Sequence, residues 1–146
     1  MKTKIIIFSV IMSFITSAAL AGDTLVQMNI KNALENSKVQ SAIYNDIALY
    51  WGSQKHPKVI KDFGEFKTSK RTNQLGKSQE SACQWALATS IKVLQERARK
   101  EGGNAVINIK SNIRFNEVYS DVSYECLCGT MMVNVVLKGT VVKLAK

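Results

Sequence analysis

The sequence predicts an α+β domain in which one long helix packs on an antiparallel sheet, preceded by a strand–helix–strand extension. Three observations carry that expectation. Residues 78–100 place Cys83, Leu87, Ser90, Ile91, Leu94 and Ala98 on one stripe at helical spacing, with Gly102-Gly103 as a stop behind the basic turn of Arg97, Arg99 and Lys100. Three strand-like runs follow, at 105–115, 118–128 and 131–144. A helix with one apolar stripe and a meander with one apolar face must cover each other to leave water.

The chain begins with what reads as a secretory leader, residues 1–21. Lys2 and Lys4 form a positive head, Ile5 opens an apolar run, and Ala19-Leu20-Ala21 supplies small residues for cleavage near Ala21. The run is short for a membrane span and lacks a basic stop-transfer flank, so no membrane span is expected. The first cysteine is Cys83, which leaves none for amino-terminal lipid attachment. A single domain, 22–146, is then expected in the periplasm or secreted beyond it.

Within that domain Val26, Met28 and Ile30 alternate as a short strand. Residues 31–43 carry Ala33, Leu34, Val39, Ala42 and Ile43 at amphipathic spacing, a short helix. Residues 46–51 form a strand, and a turn follows around Pro57, the only proline. Residues 59–67 form another strand with Gly64 at a bulge, and 68–78 a polar, basic loop. The long helix starts near Ser78 or Ser81, the latter having capping-box spacing with Gln84. In the middle strand run Tyr124, Cys126 and Cys128 share a face with Val118, Ser120 and Val122.

An oxidising compartment and three cysteines allow one bridge and one leftover thiol. Cys83 faces the core, opposite the strand that holds Cys126 and Cys128. The preferred bridge is Cys83–Cys126, with Cys83–Cys128 as the competitor one sheet repeat away. Cys128 is then a free thiol, packed in the core or exposed to an intermolecular partner. The Cys-Leu-Cys spacing in a strand is unlike a redox motif, which uses two intervening residues at a helix start. The sole histidine, His56, lies in a distant loop, so neither a metal site nor a Ser-His-Asp grouping is expected. Gly76-Lys77-Ser78 lacks the rest of a phosphate loop, whose first glycine would fall at Arg71. No cofactor and no enzymatic activity are expected.

The formal net charge is +9, and loss of Lys2 and Lys4 with the leader leaves +7. Such a balance suits anionic polymers and surfaces, and equally suits simple solubility. The densest basic stretch contains Lys67, Lys70, Arg71 and Lys77, which would cluster on the 68–78 loop before the helix amides. They are the candidate anion- or partner-binding residues.

Residues 55–144 resemble a family of small exported bacterial proteins often mislabelled as excinuclease subunits. The resemblance rests on His-Pro-Lys-Val-Ile-Lys-Asp-Phe-Gly-Glu (56–65), Ala-Cys-Gln-Trp-Ala (82–86), Leu-Gln-Glu-Arg-Ala (94–98), Gly-Gly-Asn-Ala-Val-Ile-Asn-Ile (102–109), Tyr-Glu-Cys (124–126) and Leu-Lys-Gly-Thr-Val-Val-Lys-Leu (137–144). More distantly, the Phe63–Glu65 strand, the helix leading to Asn104-Ala105-Val106 and the Cys126 strand resemble the RcsF and YbjQ-type, heavy-metal-binding-like domain. That resemblance implies a disulfide-locked helix on a small antiparallel sheet. Ring assembly of YbjQ-type domains implies that a homo-oligomer is possible. The chain departs from RcsF in lacking a lipidated cysteine and proline-rich tether, and in having three cysteines instead of four. The expected function is a non-enzymatic periplasmic or secreted binding module for a protein partner or anionic envelope component, without specific nucleic-acid recognition. The alternatives are a secreted effector or toxin-like protein and a metal- or redox-responsive protein using Cys128.

Overall fold

In the computed structural model, which describes residues 22–146, the chain forms a mixed α+β domain whose curled sheet carries one long helix on one face. The expected leader, 1–21, lies outside the described residues. The elements are β1 (Thr24–Asn29), α1 (Ile30–Glu35), α2 (Ser37–Ala42), β2 (Ala48–Trp51), β3 (Val59–Asn73), α3 (Gln79–Glu101), β4 (Ala105–Ile113), β5 (Asn116–Val118), β6 (Ser123–Cys128) and β7 (Met132–Leu144).

Asparagines divide the first helical segment. Asn29 Oδ1 accepts from the Asn32 amide at the start of α1, and Asn36 both ends α1 and caps α2 through the Lys38 amide. A short side-chain acceptor competes well for free helix amides, so one expected helix becomes two. At α3 the cap is Ser78, whose Oγ accepts from the Ser81 amide at 3.1 Å. Gln84 instead bonds Asn36 and Glu80, so the Ser81–Gln84 capping box does not form. The helix ends at Gly102 with φ +82°, a left-handed stop that glycine takes without strain. All six residues of the expected stripe, from Cys83 to Ala98, are buried.

The organising strand is β7. One edge pairs with β3 along almost its whole length, and the other pairs first with β6 and then with β4, all antiparallel. Beyond these lie β1 on β6, β5 on β4, and β2 on β4. The β2–β4 pair is parallel, so the sheet is mixed where a purely antiparallel one was expected. A further correction concerns the basic loop. Strand β3 continues to Asn73, so Lys67, Lys70 and Arg71 lie on a strand and only Lys77 on the connection to α3. Thr68 is buried, and Phe66 packs against the core; anchored on the helix side, the polar run stays extended. The Gly64 bulge is present, with φ +100° and a register shift beside it.

Register assigns the two sheet faces. Phe66, Thr68 and Lys70 oppose Gly139, Leu137 and Val135, and a side chain at Gly139 would meet Leu94 of α3. These residues therefore lie on the helix face, while Glu65, Lys67, Ser69 and Arg71 lie on the open face with Lys138 and Asn134. The helix face holds the main core; Ala105, Ile107, Val142 and Leu144 form a smaller cluster with Tyr50 and Val59. The β4–β5 hairpin turns through Arg114 and Phe115, both with positive φ. This two-residue turn geometry is usually signalled by Asn-Gly or Asp-Gly, and the Arg-Phe pair hides it from a sequence reading.

Candidate functional site

Two groups of side chains are candidates, and the first is the sulfur cluster. Cys83, in the second turn of α3, faces β6 because its stripe faces the core; Cys126 and Cys128 face α3 because strand neighbours two apart share a face. Cys83 and Cys126 are joined, with Cα atoms 6.0 Å apart. Cys128 is the free cysteine and is buried. Its sulfur lies 3.6 Å from that of Cys83 and 3.8 Å from that of Cys126. Near-equal distances put the thiol beside the disulfide bond, whereas exchange requires attack along the bond axis so that the far sulfur can leave. Burial also pushes the Cys128 thiol pKa up, which favours the unreactive protonated form. The three sulfurs are close enough to hold a soft metal ion, yet two of them are spent in the bridge.

The second group is the basic strand. Lys67 and Arg71 sit on the open face, about 13 Å apart along β3 by strand rise. The Lys67 ammonium lies 4.1 Å from the ring centroid of the exposed Phe115. Arg71 borders a shallow cleft of about 320 Å³ with Asp23, Thr130, Met131 and Asn134. Lys70 points to the helix side and is half-buried. Lys77 donates to the Asn73 carbonyl at 3.2 Å and borders a different cleft, beside Lys38, Ser81 and Trp85. The structure thus brings Lys67 and Arg71 to one face and separates them from Lys70 and Lys77. None of the four makes an ion pair among the described residues.

A sequence reading missed the acidic side of this face. Lys110 of β4 is buried and pairs with Glu65 at 2.9 Å and Glu117 at 3.1 Å, and its ammonium meets the Tyr119 hydroxyl at 2.6 Å. Lys138 joins the same two carboxylates. Lys110 and Lys138 are directly opposed in register, so Glu65 and Glu117 hold together two cations that would otherwise repel. Bonds first from Lys138 and then from Lys110 lower the Glu117 pKa to about 2, and the same pair lowers that of Glu65. Burial works to depress the Lys110 pKa, but the Tyr119 hydroxyl and both carboxylates outweigh it and raise the net value. The only available signal was the alternation that puts Glu65 and Lys138 on open-face positions; their adjacency depends on strand order.

Glu125 is a further perturbed acid. Burial raises its carboxyl pKa, and Oε2 has no hydrogen-bond partner. The His56 ring bonds the Pro57 carbonyl at 2.8 Å and packs edge-on to Tyr50. Among the described residues Glu65, Glu117, Lys110 and Lys138 are therefore committed to one another, while Lys67 and Arg71 on the same open face make no ion pair. No known protein family, curated protein or solved structure matches the chain.

Proposed function

We propose that the protein is a non-enzymatic, disulfide-stabilised binding module of the periplasm or the secreted space, which engages an anionic partner through β3. The observation that carries this reading is electrostatic. Lys67 and Arg71 share the open face of a strand at the sheet edge, unpaired with any carboxylate among the described residues, while the nearby acids Glu65 and Glu117 are neutralised by Lys110 and Lys138. Cations left without internal partners raise the local potential and attract anions. The leader pattern and the bridge support an exported protein, because disulfides persist in oxidising compartments. A long helix on a sheet also agrees in outline with an RcsF/YbjQ-like domain, which we infer as the fold relationship.

Binding to vesicles of anionic phospholipid and to polyglutamate, compared at low and high salt, tests the reading. Screening should weaken both interactions, and a Lys67→Glu/Arg71→Glu variant should lose most of the low-salt binding. Equal binding by that variant, or binding indifferent to salt, would remove β3 from the function.

A further inference from the structure

Strand β3 is the longest strand, and it pairs with β7 alone, leaving its outer edge without a strand partner among the described residues. From Glu65 to Asn73 it runs in unbroken register with β7, from Thr140 to Met132. An edge of that length presents a row of backbone donors and acceptors able to take another strand. We propose that this edge binds an extended acidic peptide segment by strand addition, a specific form of the anion binding inferred above and dependent on it.

Charge selects the occupant. The run carries Lys67, Lys70 and Arg71, and its one acid, Glu65, is held by Lys110 and Lys138. A second copy is a poor fit. Antiparallel pairing of two β3 strands about Ser69 sets Lys67 against Arg71 and Arg71 against Lys67, and like charges directly opposed destabilise a strand pair. The bulge at Gly64 further interrupts the edge before the run begins. An incoming strand with carboxylates at the complementary positions meets three cations instead. Lys67 and Arg71 contact it on the open face and Lys70 on the helix face. In a parallel strand the acids repeat the spacing of Lys67, Lys70 and Arg71; in an antiparallel strand the spacing is reversed.

The test uses a Thr/Val peptide of roughly ten residues, with glutamates spaced as Lys67, Lys70 and Arg71 are, and the same peptide methylated on alternate backbone nitrogens. The methylated peptide keeps every charge but cannot donate along the edge. Anionic vesicles form a third arm, and all are titrated against the intact oxidised protein. The unmodified peptide should bind, methylation should weaken it on the order of tenfold or more, and Lys67→Glu/Arg71→Glu should weaken it on the order of tenfold. Equal binding of the methylated peptide overturns strand addition and leaves anion binding standing, as does binding to vesicles without binding to peptide. Failure of all three anionic probes overturns both readings. Self-association that the peptide competes away and that Arg71→Glu strengthens, by turning the Lys67–Arg71 opposition into an opposite-charge pair, would assign the edge to a second copy and overturn the proposal. The methylation arm needs no protein variant, so it stays decisive even if the charge reversal disturbs folding.

Discussion

Removing the bridge should have a larger effect than any other single change to the core. Cys83 and Cys126 are 43 residues apart, and closing a loop of that length in the unfolded chain is worth about 4 kcal/mol at 25 °C in the chain-entropy treatment. A domain of this size has roughly 5 to 15 kcal/mol of total stability. With an unfolding entropy of about 2.1 cal/mol/K per residue, the loss corresponds to a fall in Tm of roughly 15 °C. It should be felt unevenly. Strand β6 meets β7 only at Leu127–Asn134 and Cys128–Val133, so the bridge to α3 is a main tie holding the β1–β6 ribbon to the rest of the domain. Urea unfolding of the oxidised protein, the reduced protein and Cys83→Ala/Cys126→Ala measures the stability loss, and amide exchange locates it. Exchange in β1 and β6 should accelerate more than in β3 and β7. Cys128→Ala serves as control, costing about 1 kcal/mol as a small cavity and leaving the bridge intact. A double variant within about 1 kcal/mol of wild type would refute the loop-closure argument. A Cys128→Ala variant that loses the bridge would place the pairing at Cys83–Cys128.

Two further outcomes follow from the open face and the core. Glu117 has its folded-state pKa depressed to about 2, so its contribution to stability is present above its ordinary value and lost as pH falls through the folded one. The urea midpoint should therefore decline across this acidic range, and Glu117→Gln should flatten that decline; a variant with an unchanged profile would show that Glu117 has no part in it. Gly139→Ala would place a Cβ 2.6 Å from Val106 Cγ1 and close to Ile109 and Leu94, where β7 passes beneath α3. Such overpacking should cost about 1 to 3 kcal/mol in a thermal melt, and an unchanged Tm would mean that the interface relaxes freely.

Elements whose signals are local could be read directly from the chain. Helix α3 declares itself because its stripe, basic last turn and glycine stop all agree within one segment. Likewise, helical spacing for Cys83 and alternation for Cys126 and Cys128 turn all three cysteines toward one interface, and the packing of α3 on β6 then joins Cys83 to Cys126. Where local signals conflict with packing, the reading fails. Residues 68–73 are polar enough to suggest a loop, yet they pair with β7 because burial of Phe66 and Thr68 against the core keeps the backbone extended. The Arg114-Phe115 turn lacks the residues that usually mark its geometry, and the parallel β2–β4 pair joins segments more than fifty residues apart.

The candidate site divides in the same way. Composition and spacing alone determined that the chain is basic, that its cations crowd the stretch from Lys55 to Lys77, and that Cys83 lies opposite the Cys126–Cys128 strand. Only the tertiary structure decided which cations remain free, because neutralisation is a matter of neighbours. Strand order brings Glu65 and Glu117 to Lys110 and Lys138, and leaves Lys67 and Arg71 at the edge without an ion pair among the described residues. It also decided the state of Cys128, since a thiol's reactivity depends on its approach to a bond and its access to water, and both are fixed by how α3 lies on β6.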